Sequence, residues 1–352
     1  MDSTTFYSKK EASVERRAFY DRLKAQNAAP LWEVLGDLVR TDPRTACVPT
    51  LWHYDDVRPF MMEAGSLITA EEAERRVLIL ENPGFSGGSR VTQSLYAGLQ
   101  LILPGEVAHS HRHATSALRF VLEGEGAYTA VDGERVTMKP GDFILTPSWT
   151  YHDHGNPGSD PVVWLDGLDI PITNFFDTSF AERYPDKSQP VARHEGDALA
   201  RYGSGMLPLE YKAPRPSAPM VAYSYERSRG ALEQMAKSGP PDPRHGVKMQ
   251  YTNPATGGYP LPTIGAFLQL LPAGFRGTPY RQTDGTIFAV AEGQGRTRIG
   301  DTTYAWGPRD IFVVPSWAPV SHEAQGDAVL FSISDRPAQQ ALGLWREQVP
   351  LR

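Results

Sequence analysis

Histidine is the residue type whose distribution in this chain points most directly to chemistry. The sequence has nine histidines, and five of them lie between residues 109 and 154: His109, His111, His113, His152 and His154. Neutral imidazoles are good ligands for iron, zinc, nickel and copper. The cluster therefore predicts a metal site, with a set of histidines on a strand surface as the alternative.

Three of these histidines have the spacing of a converging ligand set. His111 and His113 are two residues apart, and such residues on a strand point to the same face. His152 lies on a later strand and can complete a third corner. A closed structural zinc site needs a fourth ligand, for which the only cysteine, Cys47, is too isolated. We therefore favour an open metal site over a structural one.

Two further residues share the faces of these ligands. Strand parity from His111 leads to Arg119, and a buried guanidinium is costly unless it is paired. We expect a planar carboxylate of a ligand to pair with it, and the alternative partner is Asp166. His154 has the parity of His152 and could act on substrate or oxygen as an acid or base. Its alternative is a surface histidine in a polar turn.

A strand that precedes the cluster supplies a candidate pocket wall. Tyr96, Gly98 and Gln100 alternate along an apolar run and therefore share one face. Gln100 is a polar residue in a run that would be buried, so it needs a partner. Gly98 is expected to leave space where a side chain would narrow the site.

The elements that position these residues are mostly strands. Apolar residues at helical spacing predict helices in residues 11–41, split at Pro30, and a short capped helix begins at Thr69. From Val77 onward, short apolar runs end in turn residues, and Asp132-Gly133 predicts a hairpin. The pattern predicts an all-β protein of two barrels with an N-terminal helical segment. Its regions are residues 1–76 (helical arm), 77–170 (metal-binding barrel), 171–262 (connector) and 263–352 (second barrel).

The second barrel is predicted from an internal repeat. The run at 97–106 returns at 265–274, and the Pro-Ser-Trp sequence at 147–149 returns at 315–317. Two copies of one structural unit explain such a repeat in register. The three ligand positions become Tyr280, Gln282 and Val320, whereas His322 matches His154. The second copy is therefore expected to be structural and to lack the metal site.

Composition excludes several other classes of protein. The net charge is −6 and the pI is near 5.9, which argues against a nucleic-acid binder. The sequence contains no apolar run long enough for a membrane helix, and its first residues are too polar for a signal peptide. Together with the single cysteine, these features lead us to expect a cytoplasmic protein without membrane or nucleic-acid partners.

Two segments carry a family resemblance. Residues 105–124 resemble the first cupin motif, with His111 and His113, and residues 141–156 resemble the second, with His152. The usual glutamate ligand is replaced by Ala117, and a usual glycine is replaced by Trp149. A two-barrel chain with this three-histidine variant resembles the gentisate 1,2-dioxygenase family over roughly residues 15–345. That family also includes salicylate and 1-hydroxy-2-naphthoate 1,2-dioxygenases.

The resemblance implies an Fe(II)-dependent dioxygenase that opens the C1–C2 bond of gentisate with O2. Salicylate, 5-substituted salicylates such as 5-nitrosalicylate, and 1-hydroxy-2-naphthoate are the alternative substrates. It implies pocket roles for Arg75 and Asp166, which are also explained as surface charges, and a wall around Gly98 that affects substrate choice. It also implies a homo-oligomer, either a tetramer or a dimer.

Two other functions compete with this interpretation. A metal-free cupin that stores or senses a small molecule would have no need of the histidine triad or of an inward Arg119. A cupin isomerase or another metal enzyme is the third reading, and Ala117 counts against the members that use four ligands. Metal content and oxygen uptake separate the three.

Overall fold

The computed structural model describes residues 11–349. Residues 1–10 and 350–352, which are the outer ends of the predicted arm and of the second barrel, lie outside the described residues. The chain divides into two compact units, and the boundary falls between Arg44 and Thr45. The predicted helical arm of residues 1–76 therefore spans parts of both units.

The helices are mostly short and lie mainly outside the two barrels. They are α1 Val14–Ala25, α2 Leu31–Leu38, α3 Tyr54–Leu67, α4 Ala70–Ala73, α5 Ile170–Phe175, α6 Asp197–Tyr202, α7 Tyr225–Ala236 and α8 Arg336–Ala341. Among residues 11–349, none of these helices has both the length and the apolar character that a membrane crossing requires.

The strands make up the rest of the regular structure. From the start of the chain to the connector they are β1 Thr50–Trp52, β2 Val77–Ile79, β3 Tyr96–Ile102, β4 Val107–His113, β5 Ala117–Glu123, β6 Tyr128–Val131, β7 Glu134–Thr137, β8 Phe143–Thr146, β9 His152–Gly155 and β10 Val162–Leu168. The later strands are β11 Ala181–Arg183, β12 Ala222–Tyr223, β13 Val247–Gln250, β14 Gly265–Leu271, β15 Arg281–Gln282, β16 Thr286–Glu292, β17 Gly295–Ile299, β18 Thr302–Trp306, β19 Ile311–Val314, β20 Val320–Ala324, β21 Ala328–Ser334 and β22 Glu347–Gln348.

The first unit contains α1 and α2, as the split at Pro30 predicted. Ser13 caps α1 by accepting a hydrogen bond from the backbone N–H of Arg16. Within the unit, Arg16 pairs with Glu33 at 2.7 Å, and the Tyr20 hydroxyl donates to the same carboxylate at 2.6 Å. Polar contacts between side chains thus join the two helices.

The second unit contains both barrels and confirms the predicted all-β class. In the first barrel a six-stranded sheet, β12-β8-β5-β10-β3-β2, faces a five-stranded sheet, β11-β4-β9-β6-β7. The second barrel has a six-stranded sheet, β1-β19-β16-β21-β14-β13, and the smaller sheets β18-β17-β20 and β15-β22. The pairing of β4 with β9 through His111 and His152 returns as a bridge between Tyr280 and Val320, as the repeat predicted.

The barrels join through the outer faces of their six-stranded sheets. Buried apolar residues of β3, β5 and β10 belong to one cluster with those of β14, β16 and β21. The rings of Phe120 and Phe331 stack across this contact with centroids 4.1 Å apart. Since alternate residues of a strand point to opposite faces, the inner faces of the same strands remain available for the two barrel interiors.

The connector is less irregular than its composition led us to expect. It contains α5 to α7, and three of its strands extend the barrel sheets: β11 pairs with β4, β12 with β8 and β13 with β14. The helix predicted at 231–237 is the second half of the longer α7. The four-part division of the chain remains a prediction, to which the structure adds these pairings.

Backbone conformation explains two features of the repeat. Asp132 and Gly133, with φ of +51° and +82°, form the predicted tight turn between β6 and β7. Trp149 stands where the cupin motif usually has glycine, and its φ is +59°. Trp317 has a φ of +63° at the equivalent position. Both copies thus keep a left-handed backbone that favours glycine, although neither has one there.

Candidate metal centre

The three predicted ligands converge inside the first barrel. His111 and His113 lie on β4, and His152 lies opposite His111 on β9. One ring nitrogen from each lies within 4.8 Å of the others, and the ring centroids are 4.3–5.2 Å apart. Within the described residues, this is the one histidine, cysteine or carboxylate group close enough to hold a metal ion.

Backbone carbonyls select the nitrogen that two of the three rings, His113 and His152, present to the centre. His113 Nδ1 lies 2.8 Å from the Thr115 carbonyl oxygen, and His152 Nδ1 lies 2.9 Å from that of Thr150. His111 Nδ1 lies 3.3 Å from the His109 carbonyl oxygen. A ring that donates through Nδ1 keeps a lone pair on Nε2, and metal-bound histidines are commonly oriented this way.

The rings are neutral, and at least one of them has a ring nitrogen without a hydrogen-bond partner among residues 11–349, as a metal ligand requires. Burial lowers the pKa of His111 to about 3 and that of His113 to about 4, and it lowers the pKa of His152 well below its usual range. All three are therefore neutral near pH 7. His152 Nε2 is buried and has no hydrogen-bond partner in the described chain. The donor set thus fits a divalent transition metal.

Arg75 borders the centre rather than lying free on the surface. Its guanidinium contacts His111 Nδ1 and donates a 2.7 Å hydrogen bond to the His109 carbonyl oxygen. Burial, with the nearby charge of Arg119, lowers the pKa of Arg75 to about 10. Two guanidinium groups thus act on each other at the metal centre, which makes the site electropositive.

Arg119 points inward as predicted. Its partner is a carboxylate of the protein, however, and not the ligand carboxylate that the sequence led us to expect. Its Nε lies 3.5 Å from an Asp166 carboxylate oxygen, and Asp166 is its cross-strand neighbour on β10. Asp166 is buried, which corrects its reading as a surface charge, and it accepts a 2.9 Å bond from Trp164 Nε1. The guanidinium also donates to Thr146 Oγ1, while Nε itself makes no hydrogen bond.

His154 is fully buried on β9, which excludes the surface-turn alternative. Its Nδ1 lies 2.9 Å from Thr129 Oγ1, and the hydroxyl also lies 3.3 Å from Met138 Sδ. When Thr129 donates to the sulfur, it accepts from Nδ1–H, and His154 Nε2 then carries a lone pair. That Nε2 has no partner in the described chain.

The wall on β3 differs from its prediction at one position. A Cβ at Gly98 would lie 2.6 Å from Val77 Cγ1 and 3.0 Å from Tyr96 Oη. Gly98 therefore leaves no empty space, because Val77 and Tyr96 already fill it. Gln100 is buried, yet its amide makes no hydrogen bond with the described residues, so the partner expected for it is not a protein group.

A surface opening lies beside the centre. A cavity of about 320 Å³ is lined by Glu74, Arg75, His109, His111 and residues 181–183 of β11. It reaches the edge of the ligand set at His111, where Arg75 also lies. Glu74 pairs with Arg183 and Glu182 pairs with Arg112, so Arg75 is the lining cation that lies next to the proposed ligand set.

Sequence reasoning missed the groups that orient the site. Thr150 acts on His152 through its backbone carbonyl, which no residue type reveals, and Thr115 contacts His113 Nδ1 through both its carbonyl and its hydroxyl oxygen. Thr129 and Thr146 hold His154 and Arg119 from neighbouring strands. The repeat offered one signal, because Thr297 faces His322 in the second barrel at 2.8 Å as Thr129 faces His154.

Comparison with known proteins agrees with this geometry. A cupin domain model matches residues 98–168. The chain is 58% identical over 343 residues to gentisate 1,2 dioxygenase 1 of Aquipseudomonas alcaligenes, covering 97% of this chain and 99% of the relative. It is 37% identical to 5-aminosalicylate 1,2-dioxygenase of Comamonas sp, covering 94% of this chain and 89% of the relative.

A solved structure supports the same assignment. A crystal structure of salicylate 1,2-dioxygenase from Pseudoaminobacter salicylatoxidans, as an adduct with gentisate, matches with a TM-score of 0.90 and 33% identity. The match covers 98% of this chain and 96% of that one. The chain belongs to the gentisate 1,2-dioxygenase family, whose members are ring-cleaving dioxygenases built from two cupin barrels.

Proposed function

We propose that the protein is an Fe(II)-dependent dioxygenase that opens the ring of gentisate between the carbons bearing the carboxyl and the 2-hydroxyl groups. The observation that carries the proposal is the convergence of three neutral histidines, two of which, His113 and His152, have Nδ1 atoms that face backbone carbonyls. His111, His113 and His152 would hold the ion through Nε2 and leave other positions open. When bound, ferrous iron supplies the redox centre that O2 activation requires.

The charges around the centre favour an aromatic acid with an adjacent hydroxyl group. Arg75 and Arg119 contribute two positive charges, and Asp166 offsets one of them. Three neutral imidazoles add no negative charge, so an anionic substrate compensates both the ion and the remaining guanidinium. A carboxylate suits the planar guanidinium of arginine better than a single-point anion does.

His154 is the residue best placed to take the proton of the substrate hydroxyl. Its buried Nε2 carries a lone pair when Nδ1 donates to Thr129. Burial lowers the pKa of His154 well below its usual range, so the ring enters the reaction neutral. We expect His154 Nε2 to accept a hydrogen bond from the hydroxyl and to hold that proton while the ring is oxidised.

Gentisate is preferred to the salicylates because its second hydroxyl donates electrons and makes the ring easier to oxidise. The 58% identity to a protein named for gentisate supports this choice. Salicylate and its 5-substituted forms remain the runner-up, since relatives named for salicylate and for 5-aminosalicylate also match nearly the full chain.

The test is an oxygen-electrode screen of the Fe(II)-loaded protein. Gentisate, salicylate, 5-aminosalicylate, 5-nitrosalicylate and 1-hydroxy-2-naphthoate are each supplied at equal concentration. We expect gentisate to give the highest kcat/KM, with one O2 consumed per ring opened. A higher kcat/KM for a salicylate would overturn the substrate assignment while leaving the dioxygenase assignment in place.

Metal content provides the control for the centre itself. We expect about one iron per chain in the natural protein and almost none in His111→Ala. The exposed His194, which lies 3.9 Å from Asp197, gives the matched variant His194→Ala, which should keep both iron and turnover. Iron and full turnover in His111→Ala would exclude the proposed ligand set.

A further inference from the structure

The interior of the second barrel contains buried polar groups without partners. Gln269 is completely buried, and neither its amide nitrogen nor its amide oxygen makes a hydrogen bond. The hydroxyl of Ser332 and the Nε2 of His322 are equally buried and equally unpartnered. Buried polar groups in folded proteins nearly always have partners, so this concentration points to a bound molecule.

Strand register places these groups in one barrel interior. Gln269 on β14 lies opposite Lys248 on β13, and cross-strand neighbours share a face. Ser332 on β21 lies between Phe267 and Phe288 of the adjacent strands. The His322 ring packs against Phe288 with centroids 5.1 Å apart.

Lys248 brings a positive charge that no carboxylate of residues 11–349 contacts directly, although Asp284 and Glu347 act on it from a distance. Its ammonium lies 4.9 Å from the Phe267 ring centroid and 5.8 Å from that of Phe288. Within residues 11–349 it forms no ion pair. The acids around it already have partners: Asp284 pairs with Arg336 at 3.2 Å, and Asp242 and Glu347 each pair with Arg244 at 3.1 Å.

His322 presents a hydrogen-bond donor to the same interior. Trp306 Nε1 donates to Thr297 Oγ1 at 2.8 Å, and Thr297 Oγ1 lies 2.8 Å from His322 Nδ1. When Thr297 accepts from the tryptophan and donates its own proton to Nδ1, the neutral imidazole carries its proton on Nε2. The charge of Lys248 contributes, after burial, to lowering the pKa of His322 to about 3.

An opening connects the surroundings of Lys248 with the surface. A cavity of about 560 Å³ is lined by Lys248 and His245, by Ser238 and by Asp242, whose carboxylate is paired with Arg244. Its apolar lining residues are Met235, Pro240, Pro241 and Val247. His245 Nδ1 is buried without a partner, and its ring packs against Tyr280 with centroids 4.5 Å apart. The opening thus combines a positive end with an apolar wall.

We propose that the second barrel is a binding site for a small monocarboxylate, with the carboxylate between Lys248, Gln269 and His322 and the apolar body toward the opening. A single unpaired positive charge calls for a single negative charge. The donors around it match the two oxygens of a carboxylate, and the apolar wall suits a hydrocarbon body better than an inorganic ion.

The test uses 4-fluorobenzoate as the probe and ¹⁹F NMR of the full chain as the readout. Lys248→Met should weaken binding at this site by about tenfold to a hundredfold, the range that loss of a charged hydrogen-bond partner gives. Lys248→Arg, which keeps the charge, should retain most of the affinity. Lys212→Met removes a lysine at an exposed position and should leave binding unchanged.

Two further measurements separate this site from its alternatives. The probe 4-fluorobenzoate can also bind in the first barrel. The bound resonance that belongs to the second barrel should therefore be lost in Lys248→Met and retained in Arg75→Met. A bound resonance that is lost only in Arg75→Met would overturn the proposal. Nitrate that displaces the probe at equal concentration would overturn the carboxylate assignment and indicate a site for inorganic anions. Thermal unfolding of each variant confirms that it is folded.

Discussion

The two barrels place a histidine–threonine pair at the same strand position and use it differently. His154 faces Thr129 at 2.9 Å, and His322 faces Thr297 at 2.8 Å. A third residue contacts the threonine hydroxyl in each barrel, and it differs: Met138 in the first barrel and Trp306 in the second. When Thr129 donates to the sulfur, His154 Nε2 carries a lone pair, whereas when Thr297 accepts from the indole and donates to Nδ1, His322 Nε2 carries a proton. One substitution thus changes which side of a hydrogen bond the histidine supplies.

The barrels also differ in how they handle charge on their inner faces. In the first barrel Arg119 and Asp166 form a buried pair beside the metal centre. Strand pairing places Phe288 and Ser332 at those two positions of the second barrel. Equivalent strands enclose the two interiors, so the barrels share one backbone arrangement. The side chains that point inward therefore determine the chemistry of each interior.

The largest effect is expected when a proposed ligand of the first barrel is replaced by the residue at the equivalent position of the second barrel. His152→Val introduces the residue that Val320 provides at the equivalent position. We expect iron content and oxygen uptake to fall to the level of the metal-free protein, since two histidines cannot hold the ion in the same way. Metal analysis and the oxygen electrode measure both, with His194→Ala as the control. Retained iron would show that a residue outside the triad completes the site.

The next largest effect concerns the proton carried by His154. His154→Gln should lower kcat by about 10²–10⁴-fold, the usual contribution of a positioned acid or base. Thr129→Val leaves the ring in place but removes its orienting partner, so we expect a smaller loss of kcat with little change in KM. Steady-state kinetics over a range of pH tests both variants. An unchanged pH profile in Thr129→Val would argue against an orienting role for the hydroxyl.

The buried ion pair gives a stability prediction of intermediate size. Asp166→Asn leaves Arg119 uncompensated and should lower the free energy of unfolding by about 3–5 kcal/mol. The double variant Arg119→Phe with Asp166→Ser installs the pair of the second barrel and should recover much of that loss without recovering activity. Urea unfolding of the three proteins measures the difference. Equal stability of Asp166→Asn and the natural chain would contradict the pairing.

The convergence of the three histidines could be predicted from sequence because two simple rules suffice. Parity along β4 aligns His111 with His113, and the repeat in the second half shows which histidines are specific to the first. The all-β class was equally accessible, since runs such as residues 96–102 alternate between inner and outer faces and end at turns.

The supporting contacts could not be predicted, because they depend on register between strands that are distant in the sequence. Asp166 meets Arg119 only because β10 pairs with β5 in one particular register. The space at Gly98 is filled by Val77 from β2, which the sequence of β3 alone cannot reveal. A glycine in a strand therefore indicated a close approach of neighbours rather than a void.

The charge of Lys248 leads to a prediction about how stability and carboxylate binding depend on pH. Burial lowers its pKa from 10.5 to about 7 in the folded chain. Between these values the unfolded chain binds more protons, so stability should rise with pH in that window, by at most about 1.4 kcal/mol per pH unit. Carboxylate binding should weaken over the same window, because the ammonium loses its proton.

A comparison of the natural chain with Lys248→Met separates the contribution of Lys248 to the pH dependence of stability from that of its neighbours. The ionisable groups packed around Lys248 are Asp242, His245, Asp284, His322, Arg336 and Glu347. Lys248→Met keeps all of them, so the difference between the two proteins in urea unfolding at pH 7, 8 and 9 reports on Lys248. A difference that does not vary with pH would show that the ammonium is solvated rather than buried.

The smallest effect concerns the two glutamines that the repeat places at the same strand position. Gln269 has both amide atoms buried without partners in the described chain, whereas the amide atoms of Gln100 are not among the fully buried unpartnered groups. Gln269→Leu should raise the free energy of unfolding by about 1 kcal/mol in carboxylate-free buffer, because an unpaired buried amide is destabilising. It should also weaken binding of 4-fluorobenzoate, while Gln100→Leu should give no comparable gain in stability. Urea unfolding with and without the probe measures both, and a loss of stability in probe-free Gln269→Leu would mean that the amide is already paired in the free protein.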